Sequence, residues 1–295
     1  MNTLWRIKRK MMKFVIRHSG NPHPPSFPYI SGDSFRHLAS HRYERGTYFD
    51  PYKVDEKDVI FVEGDLIKTF FEMVHPRITH RYILISHNTD DGVDGSYLKY
   101  MDRKIIHWFA QNVLTHHPKI TPIPIGLEGL YHYNCGVPSI FDSLVKNNDA
   151  VKGKKKNRIF FGFSIETNRH ERQKAYNFLI KYPLSERLSG WPYPKKYFSI
   201  VQSYKFIASP RGNGEDCIRT WESMLLETVP IVMRSTGIDS FAKLGLPLLV
   251  IDSWDELSAF SEYDLQAKYD LITAKANREP LYMDYWRKLI LSKQQ

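Results

Sequence analysis

The feature that most narrows the fold is a run of short apolar segments alternating with helical ones between Arg158 and Ile251. Apolar stretches of four to six residues bounded by Gly, Pro or capping residues read as buried strands, and the amphipathic stretches between them as helices. On that basis strands are expected at 158–163, 206–209, 229–233 and 248–251. Helices are expected at 168–180, with Thr167 or Asn168 as N-cap, at 195–203, and at 216–227, capped by Glu215 or Asp216. Ser253 can cap a further helix beginning at Trp254, and the tail 262–292 reads as helical. Repeated βα units of this kind build a doubly wound parallel sheet.

The first half shows the same alternation less cleanly. Val59–Val62, Tyr82–Ile85 and Ile120–Ile125 read as strands, Leu66–Val74 as a helix, and Ile105–Leu114 as either a helix or a strand with a turn. A chain of 295 residues exceeds what one core usually organises, so two α/β units are expected. The expected division is a basic segment and irregular arm at 1–57, rich in Pro, Gly, Ser and His, then a first unit at 58–150 and a second at 151–277. A last helix at 278–295 would follow.

Composition excludes several classes. Apolar residues make up 42% and aromatic residues 14%, too much for a disordered chain. Cys135 and Cys217 alone do not make a disulfide framework, so a reducing compartment, the cytoplasm, is expected. No apolar stretch is long enough to cross a bilayer, and Lys13 interrupts Met11–Ile16, which is too short for the apolar region of a signal peptide. The net charge of +10 favours anionic partners. Residues 2–18 can form a basic amphipathic helix with Leu4, Ile7, Met11 and Val15 near one face, which gives peripheral contact with an anionic membrane a place in the reading. Nucleic acid is a weaker partner, because no basic stripe with aromatic platforms and no recognition motif is present.

In an open parallel sheet, ligands bind beyond the carboxyl ends of the strands. The loop Ser209-Pro-Arg-Gly-Asn-Gly-Glu-Asp occupies such a place and opens a helix. Gly212, Asn213 and Gly214 let backbone amides approach a ligand, while Arg211 and Arg219 add forked donors suited to a diphosphate. The spacing is neither that of a P-loop nor that of a dinucleotide fingerprint. Glu222 lies three residues after Arg219 and shares its helix face, as a ribose-binding carboxylate or as one half of a surface ion pair.

The stretch Phe206-Ile-Ala-Ser-Pro-Arg-Gly, followed by Arg219-Thr-Trp-Glu222 and Pro230-Ile-Val, resembles the nucleotide-sugar half of exostosin-like glycosyltransferases. Phe161-Gly-Phe with Arg172 on the next helix is similar to that family's strand–loop–helix start, and the resemblance covers about 158–252. Leu226-Glu227-Thr228 stands where the family commonly has glycine. The resemblance implies the GT-B architecture: two Rossmann-like domains with parallel sheets facing across a cleft. The donor would sit in the second domain and the acceptor in the first, with the last helix returning to the first domain. It implies transfer from a nucleotide sugar, with uridine as the base by analogy, to a glycan, glycolipid or other hydroxyl acceptor. It also implies inversion, with no metal and no cofactor beyond the donor. Arg211 and Arg219 would hold phosphates and Glu222 the ribose or sugar, with Gly126, Gly162 and Arg172 completing the donor site.

On the acceptor side, Ser86-His-Asn-Thr-Asp-Asp-Gly follows a strand. His87, Asp90 and Asp91 are the candidate bases for deprotonating an acceptor hydroxyl, and Asn88, Trp108 and Asn112 are candidate acceptor contacts. An Asx-rich turn with a satisfied histidine, and a core role for Trp108, are the structural alternatives. Other functions carried alongside are a nucleic-acid-binding or DNA-modifying protein and a non-catalytic nucleotide-sugar-binding module.

Overall fold

The computed structural model describes residues 3–190 and 192–295, so Met1, Asn2 and the start of the expected 2–18 helix lie outside the described residues. The first sheet comprises β1 (His41–Tyr43), β2 (Asp58–Glu63), β3 (Tyr82–His87), β4 (Ile105–Ala110) and β5 (Ile120–Pro122), paired in that order. The second comprises β6 (Lys156–Phe161), β7 (Ser185–Arg187), β8 (Tyr204–Ala208), β9 (Val229–Met233) and β10 (Leu249–Ile251), in the order β10-β9-β8-β6-β7. Every pairing in both sheets is parallel. Two α/β units with parallel sheets are thus observed, as the alternation predicted.

Strands buried on both faces carry continuous apolar runs. Side chains alternate between the faces, and the two faces of each sheet feed different cores. From β2 and β3, Ile60, Val62 and Leu84 pack with Phe70 and Phe71 in a core private to the first unit. Val59, Phe61, Ile83 and Ile85 point the other way, into a cluster that also holds Phe160, Ile207 and Trp221 of the second unit. Ile159, Phe161, Phe206 and Ala208 line a third core private to the second unit. One hydrophobic cluster is therefore continuous between the units.

Several boundaries differ from expectation. The arm contributes β1, which pairs with β2, so the first unit begins before residue 58. His-Arg-Tyr is half-buried throughout and carries no apolar run to announce a strand. The helix expected at 66–74 is a composite of 3-10, α and π turns over residues 64–77, closed by Pro76 in the last turn. A helix at Thr236–Lys243 joins β9 to β10, and the tail divides into Glu262–Ala274 and Met283–Leu291. Asn168 caps its helix by accepting from the Glu171 amide, and Ser253 with Glu256 forms a capping box. Asp216 does not cap. Cys217 takes that position without a side-chain bond, because the Asp216 carboxylate is engaged elsewhere.

The helix Met283–Leu291 lies against the first unit. The Met283 amide donates to Pro28 O at 2.9 Å, Trp286 meets Phe35 edge-on with ring centroids 6.1 Å apart, and Gln294 donates to Lys57 O at 3.0 Å. Among the described residues no helix is long and apolar enough to cross a membrane, and both cysteines are free.

Candidate functional site

From β6 the chain runs outward to edge strand β7, then returns to β8 on the other side of β6. That reversal marks the switch point of the sheet, where a ligand crevice is expected between the carboxyl ends of β6 and β8. Gly162 follows β6 there, and the loop 209–217 follows β8. Arg219 and Glu222 stand on the helix Ile218–Leu225 that the loop opens. Arg219 donates from Nη2 to Gly162 O at 3.0 Å, and its guanidinium lies 5.9 Å from the Phe163 ring centroid. Gly162 itself abuts Leu188, so its carbonyl rather than its lack of a side chain serves the crevice.

Glu222 is 5% exposed and Arg219 is partly buried. They form no ion pair within 4.0 Å, so the surface ion pair is not what the structure holds. Instead Glu222 Oε1, Arg219 Nε and Arg211 Nε are all buried without a hydrogen-bond partner. Burial drives the Glu222 carboxyl up to about 8, with Arg219 opposing and Glu128 reinforcing. The folded protein therefore keeps a proton that the unfolded chain releases above about 4.5, and stability from this group falls as pH rises from about 4.5 to 8. Glu222→Gln is expected to flatten that decline. Melting temperatures of the ligand-free protein across this window check it, and parallel profiles for wild type and variant would contradict the burial of a titrating carboxyl.

Arg211 pairs with Glu215. Arg172 is 6% exposed and ties two loops together, donating from Nε to Arg211 O at 3.0 Å and from Nη1 to Ser164 O at 2.9 Å. Those bonds make Arg172 a brace between the loops after β6 and β8. Gly212 lies directly beneath it, and Gly212 O accepts from Asn168 Nδ2 at 2.7 Å.

The same loop is fastened to the first unit. Asn112 Oδ1 accepts from the Glu215 amide at 2.9 Å, while Asn112 Nδ2 donates to Thr89 O at 3.0 Å. Gly214 packs against the Asn112 amide group, and Asn213 Nδ2 donates to Asp90 Oδ2 at 2.9 Å. Asp216, 5% exposed, accepts at Oδ2 from the Ile125 amide at 2.9 Å and from Trp221 Nε1 at 2.6 Å. Its carboxyl is raised to about 6 by burial, which these bonds oppose. Asn112 is thus a latch between units and not an acceptor contact, because both ends of its amide are engaged.

Three other expectations on the first unit change. Both ring nitrogens of His87 are occupied: Nε2 meets Pro124 O at 2.9 Å, and the Asn88 amide donates to Nδ1 at 2.7 Å. Burial lowers its pKa, so His87 is a neutral structural residue with no lone pair open to a hydroxyl. Trp108 is fully buried, with Nε1 donating to Ser86 Oγ at 2.8 Å, and cannot stack on a sugar. Gly126, at φ +69°, is needed for close backbone approach to the arm, since a Cβ there would lie 2.4 Å from Ile30 O. Asn88, Asp90 and Asp91 remain exposed at the cleft rim.

A cleft of about 1040 Å³ opens at this end of the first sheet, with Ile218 of the second unit on its wall. Asp33, Glu128, Asp90 and Asp91 line it. The arm brings Asp33 in: Ser31 caps the short helix Gly32–His37, which sits so close to the end of β3 that a Cβ on Gly32 would collide with Asn88. Asp33 is 4% exposed and accepts from His23 Nδ1 at 3.2 Å. That bond raises the His23 pKa against the opposing effect of burial. By composition alone this arm reads as irregular. The Ser31-Gly-Asp-Ser34 start, an N-cap with an acid in the first turn, was the signal available.

No family model matches the chain, and none of the curated proteins does. Among solved structures, the chain is similar to an α,α-trehalose-phosphate synthase (UDP-forming) from Burkholderia vietnamiensis at 12% identity and a TM-score of 0.47, over 83% of this chain and 73% of that one. It is similar to trehalose-6-phosphate synthase from E. coli bound with UDP-2-fluoro glucose at 12% identity and 0.44, over 82% and 74%. The Burkholderia xenovorans enzyme in complex with glucose-6-phosphate stands at 10% identity and 0.46, over 82% and 75%.

Proposed function

We propose that this chain is a glycosyltransferase of the exostosin-like type. It takes a nucleoside diphosphate sugar, with uridine as the base, and glycosylates a hydroxyl of a glycan or glycolipid, with inversion and without a metal ion. The observation that carries this reading is the trio of buried, unpartnered polar atoms, Arg211 Nε, Arg219 Nε and Glu222 Oε1, at the switch point of the second sheet. Each such atom costs about 1–3 kcal/mol when left unsatisfied, so three of them on one loop and the helix it opens call for a ligand that satisfies them. A ribose presents vicinal hydroxyl donors to Glu222, and a diphosphate accepts from both guanidinium groups. As the bond from the anomeric carbon to the diphosphate oxygen breaks, the charge growing on that oxygen meets Arg211 and Arg219.

On the opposite side, a carboxylate removes the acceptor hydroxyl's proton as its oxygen attacks the anomeric carbon. With His87 sealed, Asp33 takes this role, held by His23 beside the cleft.

A thermal-shift screen with UDP, GDP and CMP tests the donor assignment. A ligand at 100 times its Kd stabilises by about 2.7 kcal/mol. UDP is expected to shift the wild type, and Glu222→Ala to remove most of that shift. Equal shifts in both proteins would refute the ribose contact, and no shift with any nucleotide, together with no nucleotide release from a panel of UDP-sugars, would refute the enzyme reading.

A further inference from the structure

We propose that the helix Thr3–Arg17 docks this protein on anionic lipid bilayers. The helix has two apolar faces with different fates. Trp5, Met12 and Ile16, at i, i+7 and i+11, turn inward: Ile16 joins the shared core, and Trp5 and Met12 pack against it. Trp5 also stacks on Tyr133 with centroids 6.1 Å apart, and the Arg17 guanidinium lies 4.6 Å from the Tyr131 ring centroid. These contacts fix which side of the helix faces away from the protein.

That outer side is apolar. Ile7, Met11, Phe14 and Val15 are 52%, 63%, 64% and 55% exposed. At ~100° per residue they fall within an arc of roughly 100°. Lys8 borders one edge of the arc, and Lys10, Arg17 and Arg6 follow the other. No acidic residue occurs anywhere in the helix.

Charge selects the occupant. A second copy laid on this stripe would bring two rows of cations together with no acid between them, which is repulsive. A bilayer carrying anionic headgroups turns the same cations into attraction, while their aliphatic stems extend along the apolar boundary. An apolar arc flanked by lysine and arginine is the geometry of a helix lying in the interface plane, its apolar side sunk among the acyl chains. The inference is independent of the donor chemistry, since it uses none of the cleft residues.

Co-sedimentation of the full chain with vesicles tests it. Partition onto phosphatidylcholine mixed with phosphatidylserine is expected to exceed that onto pure phosphatidylcholine by roughly tenfold or more, and to fall as salt is added. The double substitution Met11→Asp and Phe14→Asp is expected to lower partition by roughly tenfold or more. Its melting curve should match the wild type, both side chains being exposed. Lys8→Glu with Lys10→Glu should abolish the preference for the anionic lipid while leaving the fold intact. Equal partition onto the two lipids, or partition indifferent to the double Asp substitution, overturns the proposal. A wild-type dimer that the Asp substitutions split into monomers overturns it too, by giving the stripe to a second copy.

Discussion

Asp33→Asn is expected to lower kcat for sugar transfer by about 10²- to 10⁴-fold, the usual worth of a positioned general base. The isosteric amide keeps the hydrogen-bonded shape beside His23 but cannot accept a proton. Asp33 lines the cleft at the first unit, away from Glu222 on the second, so the UDP-induced thermal shift should survive unchanged. That split separates a base from a residue that merely holds the cleft together, which would lose donor binding and stability along with turnover. His23→Ala should cost less than Asp33→Asn, because His23 acts on the acceptor only through the carboxylate it holds at 3.2 Å. Single-turnover rates with saturating UDP-sugar measure the effect. Wild-type turnover in Asp33→Asn would move the base to the rim, where Asp91 is the exposed alternative.

Trp286→Ala is expected to destabilise the whole chain by about 3–5 kcal/mol, as large aromatic truncations in packed cores do. Trp286 is fully buried, donates from Nε1 to Pro280 O at 2.9 Å, and meets Phe35 across the return of the last helix. The substitution removes the ring, leaves a cavity and orphans a carbonyl. For a chain of this size the fall in Tm is roughly 10 °C. Tyr263→Ala, at an 80% exposed position on the neighbouring helix, should leave Tm in place. A Trp286→Ala melting curve that matches the wild type would mean the last helix does not contribute to the first unit's core.

The second sheet was legible where its strands carry apolar runs, at 159–161, 206–208, 229–233 and 249–251, and where its helices start on side chains that cap, such as Asn168 and Ser253; its edge strand β7, Ser-Glu-Arg, carries no such run and was missed. The same local signals put Arg219 and Glu222 on one helix face. What escaped was set by contacts distant in sequence. Nothing near His87 shows that Pro124 O will occupy its Nε2, or that Gln111 Oε1 will accept from the Asn88 amide. Asn112 looks like any polar residue at a strand end, and becomes a latch only when the loop at 213–215 arrives from the other unit. Strand β1 was missed because three half-buried polar and aromatic residues carry no period. Asp33 lay in a Pro-rich arm whose irregular composition hid a capped turn placed against the end of β3.

The fastening of loop 209–217 has a practical corollary. Its amide at Glu215, its carboxylate at Asp216 and its side chain at Asn213 find partners on the first unit, and the largest apolar cluster runs unbroken between both halves. Cut free at the boundary, the second half would carry a bare greasy wall and a slack cradle. The two units of this molecule are one mechanical piece, so a fragment is no surrogate for the intact chain in any assay.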